Sequence, residues 1–247
     1  MELKRKPLQG VLNILSFNRH FYFYGIIALA LIIIAIHFFK IPNMIKWIVI
    51  LSFIYGLIAP LIISAYVYDF SNFYKFKWLN HFTFNAKATI VNINAGFDET
   101  SFTLKNHFQD SDLKVFDFYN PKKHTEPAIV RARKVSFNYP NTKSINSNAI
   151  PLEKESVDII FLISSAHEIR DFKEKVNFLK ECKRLLKPNG SVILVEHLRD
   201  LPNFLAFTIG FTHFFSKKNW INAFTEANFQ LNKKVKFTPF MSSFQFK

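Results

Sequence analysis

Residues 21–39 carry no formal charge and are built around the run GIIALALIIIAI. At about 1.5 Å per residue an α-helix of that length spans roughly 28 Å, close to the hydrocarbon core of a bilayer. Residues 40–43, KIPN, then break the run, and Pro42 and Asn43 are turn formers. A second apolar stretch covers residues 45–68, interrupted by Lys46 near its start and by Pro60. A proline inside a spanning helix predicts a kink that a neighbouring helix can accommodate. Trp47, Tyr66 and Tyr68 fall near the ends, where aromatic belts lie. Two such runs joined by a short turn predict a transmembrane helical hairpin. A secretory signal fits poorly, because no small-residue cleavage site follows and a second span comes at once.

Charge orients the hairpin. Lys4, Arg5, Lys6 and Arg19 precede the first span and Lys75 and Lys77 follow the second, whereas the connecting turn has Lys40 alone. The positive-inside rule therefore places both termini, and any soluble domain after the hairpin, in the cytoplasm. The expected organisation is a basic N-terminus (1–20), two transmembrane helices (21–68), a juxtamembrane interfacial segment (69–85) and a soluble domain (86–247). Residues 69–84, DFSNFYKFKWLNHFTF, alternate aromatics with Lys and His, as expected of a segment lying along lipid headgroups.

The net charge of +14 over 247 residues suits the anionic inner face of a membrane, so a lipid bilayer is the expected partner and no nucleic acid is expected. A single cysteine, Cys182, excludes a disulfide framework and a cysteine metal site.

Beyond the hairpin the apolar periodicity changes. Val176, Phe178, Leu185 and Leu186 recur at helical spacing. Lys187-Pro-Asn-Gly190 is expected to stop that helix, with Gly190 free to take positive φ. Residues 192–195, VILV, read as a strand buried on both faces. Glu196 and His197 then stand at its carboxyl end, where open α/β sheets bind ligands. Upstream, residues 88–91 read as a strand, residues 92–101 as a tight loop, and Thr100 or Ser101 as the cap of a short helix. Further strands are expected at 113–117, 159–163, 231–237 and 241–246, with helices around 128–135 and 217–227.

The stretch ECKRLLKPNG, in which Glu181, Arg184, Leu186, Lys187, Pro188 and Gly190 match E-x-x-R-x-L-K-P-G-G, resembles the class I S-adenosylmethionine (SAM)-dependent methyltransferases. The resemblance covers residues 86–247. It implies an α/β fold, a Rossmann-like seven-stranded methyltransferase sheet with an antiparallel last strand, preceded here by the transmembrane helical hairpin. The cofactor it implies is S-adenosylmethionine.

The family's acidic residue and G-x-G-x-G loop fall on Asn92, Asn94, Gly96 and Asp98, so only the middle glycine is retained. Asn94 can replace a glycine by adopting a left-handed conformation, and Asp98 with Glu99 can receive the cofactor's ammonium group. Asp117 takes the place of the acid that holds both ribose hydroxyls, with Phe118 beside it. Asn146 or Asn148 stands where the adenine amine is read. Ser164 follows the fourth strand, and His167 and Glu168 come next, where a histidine can act as general base. Glu196, His197 and Asp200 form a second candidate acid/base cluster, whose spacing is not that of a metal site. The Phe-rich residues 201–215 lie where the family builds a substrate lid.

Two functions follow. One is a membrane-anchored methyltransferase acting on a small lipophilic acceptor. The other, favoured by Asn94 and Asp98 in place of glycines, is a catalytically inactive membrane scaffold with the same fold.

Overall fold

The computed structural model describes residues 5–39, 41–84 and 87–247. Lys4 and Lys40, used above to orient the hairpin, lie outside the described residues.

Three helices open the chain: α1 (Gln9–Phe17), α2 (Arg19–Phe38) and α3 (Asn43–Ser64). Helices α2 and α3 pack on each other as a hairpin. Both are long and apolar enough to cross a membrane, and α2 buries no residue within the protein. Ile26, Leu31, Trp47, Leu51 and Ile62 are all more than half exposed, an apolar surface that water would not favour. Past Pro60, α3 continues to Ser64 and widens into a π-helical turn, Ala65–Phe70. Short 3₁₀ turns follow at Phe73–Lys75 and Lys77–His81.

The rest of the chain alternates strands and helices. In order they are β1 (Thr89–Asn94), α4 (Ser101–His107), β2 (Asp112–Asp117), α5 (Pro127–Val135), β3 (Lys143–Ser144), β4 (Val157–Ile163), α6 (Phe172–Leu185), β5 (Leu186–His197), α7 (Leu201–Phe207), α8 (Lys217–Glu226), β6 (Leu231–Lys236) and β7 (Met241–Phe246). They form one seven-stranded sheet in the order β3-β2-β1-β4-β5-β7-β6. Strands β1 to β5 pair in parallel, and β7 runs antiparallel to both neighbours. The order reverses between β1 and β4, so a crevice opens at their carboxyl ends.

A parallel sheet needs both faces covered. Along β4 and β5, Ile160, Leu162, Val192 and Leu194 join the core under α5, α6 and α8, while Ile159, Phe161, Ile163, Ile193 and Val195 join a second core on the other face. The cover for that second face is Val67, Phe73, Phe76, Trp78 and Leu79, all buried. Residues 69–84 therefore do not lie along headgroups with these aromatics. Helix α4 is only a two-turn helix, and the juxtamembrane segment supplies the apolar cover it cannot. The folded α/β unit accordingly begins before residue 86.

The turn expected at residues 187–190 is also corrected. Leu186 already pairs with Val157, and the register then shifts so that Ser191 pairs with Ile159. Pro188 and Gly190 sit in this bulged start of β5, and a bulge tolerates a proline that a regular ladder would not. Gly190 has ordinary negative φ. A Cβ there would lie 3.0 Å from both Leu186 Cδ2 and Val157 O, so close approach of the neighbouring strand is what selects glycine.

Candidate functional site

Between the carboxyl ends of β1, β4 and β5 and the helical hairpin lies a cavity of about 500 Å³. Its floor includes Ala95, Ser164, His167 and Glu168, and its far wall includes Phe17, Phe21, Pro60 and Tyr68. The roof is the Phe-rich insert, α7 and the 3₁₀ turn Thr208–His213, which contributes Phe207, Ile209 and Phe214. The Tyr55 hydroxyl of α3 donates to Leu205 O, tying this roof to the hairpin.

The loop after β1 is built from side chains where the family has glycines. Asn92 is buried and its Nδ2 donates to Thr100 Oγ1 at 3.1 Å and Ser101 Oγ at 2.8 Å, so it ties the strand to α4. Asn94 stays in the strand with negative φ, contrary to the left-handed conformation expected of it. Its contribution comes from the side chain: Oδ1 accepts from Gly96 N at 2.7 Å. Gly96 has φ +82°, and a Cβ there would overlap the Arg133 guanidinium, so this glycine is needed for both reasons.

Asp98, not Thr100 or Ser101, caps α4. Its Oδ1 accepts from Thr100 N and Ser101 N, each at 2.9 Å. A carboxylate at a helix start also meets the positive end of the helix dipole. Glu99 is committed to the N-terminal segment, since it accepts from Arg5, from Tyr74 Oη at 2.6 Å and from Asn13 Nδ2 at 3.3 Å.

Asp117 ends β2 as expected. Its Oδ1 accepts from Tyr119 N at 2.8 Å, and its Oδ2 pairs with Arg133 Nη1 at 2.7 Å. Arg133 also donates to Ala95 O and stacks over Tyr119, filling the space between Gly96 and Asp117. Among the expected cofactor residues only Ser164 lines the cavity; Asn92, Asn94, Gly96, Asp98 and Asp117 stand at the neighbouring ends of β1 and β2 without lining it, and two others stand further away. Phe118 is buried in the core against Phe178, and Asn148 is exposed on the loop after β3, as is Asn146. Ser164 does line the cavity, in a left-handed conformation with φ +48°, and its Oγ is buried without a hydrogen-bond partner among the described residues. Non-glycine residues held there collect at functional sites.

His167 sits in a 3₁₀ turn, Ala166–Glu168, directly after β4. Its Nδ1 meets Glu196 Oε2 at 2.8 Å and its Nε2 lies 3.4 Å from Glu168 Oε1. Burial alone would lower its pKa, but the two carboxylates outweigh burial and raise it to about 10. Such an imidazole is protonated at neutral pH, which makes it a cation and not the proton acceptor expected. The same pairing holds the Glu168 carboxyl below its ordinary value, against the opposing effect of burial.

Glu196, His197 and Asp200 do not cluster. Successive strand residues face opposite sides, so Glu196 turns to His167 while His197 turns to the second face. Asp200 caps α7 through Asn203 N at 3.1 Å. His197 Nδ1 faces Asn203 Oδ1 and Phe240 O, both at 3.0 Å, so it carries the hydrogen. Its Nε2 then accepts from Tyr68 Oη at 2.9 Å. Burial lowers its pKa to about 4, which keeps it neutral.

The structure adds residues that the motifs did not single out. Arg133 comes from α5, Glu126 precedes α5, and His213 comes from the roof, where its Nδ1 meets Glu126 Oε2 at 2.7 Å. Each is distant in sequence from the residue it meets, and no local spacing marks it.

A family model described as a methyltransferase domain matches residues 124–194. A highly reducing polyketide synthase of Pyrenophora dematioidea is 28% identical over 162 residues, which is 58% of this chain; the chain spans 6% of that protein's length. A SAM-dependent methyltransferase from Methanosarcina mazei shares 16% identity, with a TM-score of 0.50 over 69% of this chain and 95% of that one. Human N-acetylserotonin methyltransferase, solved in complex with SAM, shares 11% identity, with a TM-score of 0.52 over 78% of this chain and 55% of that one. The methyltransferase-domain model spans α5 to β5, and the sheet order with its reversed last strand is the fold shared with these solved methyltransferases.

Proposed function

We propose that this chain is a membrane-held methyltransferase whose acceptor is a small lipophilic molecule. The observation that carries the reading is the shared cavity: one wall is the end of the sheet, and the other is the apolar hairpin with a phenylalanine-rich roof. A lipophilic molecule can pass from a bilayer into such a space without crossing water. The hairpin spans the membrane in this reading, with the basic flanks and the α/β domain on the cytoplasmic side.

The residues present fit SAM. Gly96 provides a cradle that a Cβ would fill, and Asp117 ends β2 with a carboxylate able to accept two hydroxyls. Asn94 Nδ2, Asp98 Oδ2 and Ser164 Oγ are buried polar atoms without partners among the described residues, and all three lie along this edge. When bound, SAM supplies an electrophilic methyl group. The chain's part is to hold the acceptor in line and exclude water, which positioning alone can make effective. Charged His167 presents a fixed cation at the cavity floor. For Asp117 to receive a ribose, Arg133 has to swing aside; its side chain is 30% exposed, so solvent is open to it.

The Arg133–Asp117 pair is also what favours the scaffold reading, in which the ribose site stays closed. Calorimetry with SAM on the full chain in detergent, with Asp117→Ala as control, separates the two. Saturable binding lost in the variant, followed by methyl transfer from labelled SAM into an organic extract of membranes, supports the enzyme. Folded protein that binds no SAM at millimolar concentration refutes it.

A further inference from the structure

We propose that His167, Glu168 and His213 form a binding site for a divalent transition-metal ion at the floor of the cavity. One ligand atom from each of the three lies within 4.8 Å of the others, and His167 Nε2 and Glu168 Oε1 are already 3.4 Å apart. Ligands about 2.0–2.2 Å from a tetrahedral zinc sit roughly 3.4 Å from one another, so side-chain rotations on the order of 1 Å complete the set.

Four observations point to a cation and not to a chance meeting of polar groups. First, Glu168 is 6% exposed, and its Oε2 has no hydrogen-bond partner among the described residues. Its Oε1 faces His167, and the buried Oε2 is left for a group that the described residues do not supply. Second, both imidazoles are oriented in the same way. His167 Nδ1 meets Glu196 and His213 Nδ1 meets Glu126, which leaves Nε2 of each ring as the ligand atom. This carboxylate–histidine arrangement is the usual outer support of a metal-bound histidine. Third, the rings lie 4.9 Å apart at 76° to one another, close enough for both to reach one ion. Fourth, the charges suit a dication. Glu126, Glu168 and Glu196 bring three negative charges, and Arg170, 3.6 Å from Glu126, returns one. An ion on Nε2 takes the place of the proton that His167 otherwise carries, and with both histidines neutral the three carboxylates and Arg170 leave a net deficit of two.

Two histidines and one carboxylate is the ligand set of open zinc sites and of non-haem iron(II) sites, both of which keep a position for another ligand. Here that position faces the cavity, so the ion would act as a Lewis acid toward an oxygen or nitrogen of whatever occupies it. His213 belongs to the roof and His167 and Glu168 to the floor. The ion would therefore also fasten the roof down.

The inference stands apart from SAM binding, and the test keeps the two separate. Full-length protein in detergent, with any affinity tag removed and stripped by chelator, is titrated with Zn²⁺, and anaerobically with Fe²⁺. Metal retained by unstripped protein is measured by elemental analysis, which decides between the two ions. Glu168→Gln is near-isosteric and His213→Ala is on a partly exposed turn, so at least one of them folds; circular dichroism and thermal melts confirm it. The expected result is one equivalent bound per chain, with affinity at least 100-fold weaker in either variant. Glu196→Gln and Glu126→Gln, which remove the outer carboxylates, should cost about 10–100-fold. No saturable binding by the wild type, or binding unchanged in both ligand variants, overturns the proposal. SAM affinity measured on the same stripped samples reports on the cofactor site alone.

Discussion

Replacing Arg133 by alanine should strengthen SAM binding. Arg133 Nη1 occupies Asp117 Oδ2 at 2.7 Å and sits where a Cβ on Gly96 would be. A ribose cannot use that oxygen until the pair opens. Asp117 is 11% exposed and Arg133 30% exposed, so the pair lies between a surface bridge and a buried one. Opening it costs about 1–2 kcal/mol, the range for a charge-assisted hydrogen bond with one wet partner. Removing that cost should tighten the dissociation constant by roughly 5- to 30-fold. Calorimetry on the full chain should show this for Arg133→Ala, complete loss for Asp117→Ala, and loss again in the double variant. Weaker binding by Arg133→Ala would refute the reasoning, because the guanidinium would then be a cofactor contact and not an obstruction.

Three further outcomes are expected. Lys175 is buried with its Nζ 3.0 Å from the Phe215 ring centre, and burial lowers its pKa from 10.5 to about 7. The unfolded chain thus holds this proton up to pH 10.5 while the folded chain releases it near 7, so stability should rise with pH across that window. Lys175→Met should flatten that rise and stabilise by about 1–3 kcal/mol at pH 6, less than the full burial cost because the Phe215 and Trp220 rings partner the ammonium; an unchanged melting profile would count against it. Asp98→Ala removes the cap of α4 and should cost about 1–2 kcal/mol in denaturant titrations, whereas Thr100→Ala should cost less than Asp98→Ala because its own side chain does not cap. Cys182 is fully buried and burial pushes its thiol pKa up, so native protein should resist alkylation that denatured protein undergoes at once.

Six of the seven strands were legible because they are marked locally, as by the β-branched runs at β1, β4 and β5; the two-residue β3 carries no such mark, and the seven-stranded sheet was implied only by the resemblance that ECKRLLKPNG carries. Strand-end residues such as Asp117, Ser164 and His197 could be placed on the same grounds. Their partners could not. Asp98 reads equally well as a glycine substitute and as a helix cap, and only the bonds to Thr100 N and Ser101 N decide. Glu196 and His197 are neighbours in sequence but face opposite sides of the sheet, so proximity along the chain suggested a cluster that strand geometry forbids. Arg133 and His213 reach the site from α5 and the roof, contacts set by tertiary packing and carried by no motif.

The same limit explains why the hairpin read as an anchor separable from the domain. The segment that follows α3 is part of the α/β core. Val67, Phe73, Phe76, Trp78 and Leu79 are at most 3% exposed and cover Ile159, Phe161, Ile163, Ile193 and Val195. Each large apolar side chain returned to water costs about 1.5–3 kcal/mol, so uncovering this face costs roughly as much as the whole stability of a domain, about 5–15 kcal/mol. A chain starting at Lys87 should therefore aggregate or lack a cooperative melt, while one starting at Ala65 keeps the cover and should melt cooperatively in mild detergent. The Ala65 chain should nevertheless lose the cavity wall formed by Phe17, Phe21 and Pro60. If the chain from Lys87 melts within a few degrees of the chain from Ala65, the second core contributes little and the segment after α3 is separable after all. If it does not, the segment that follows α3 belongs to the α/β fold, and what the hairpin itself adds is the cavity wall of Phe21 and Pro60.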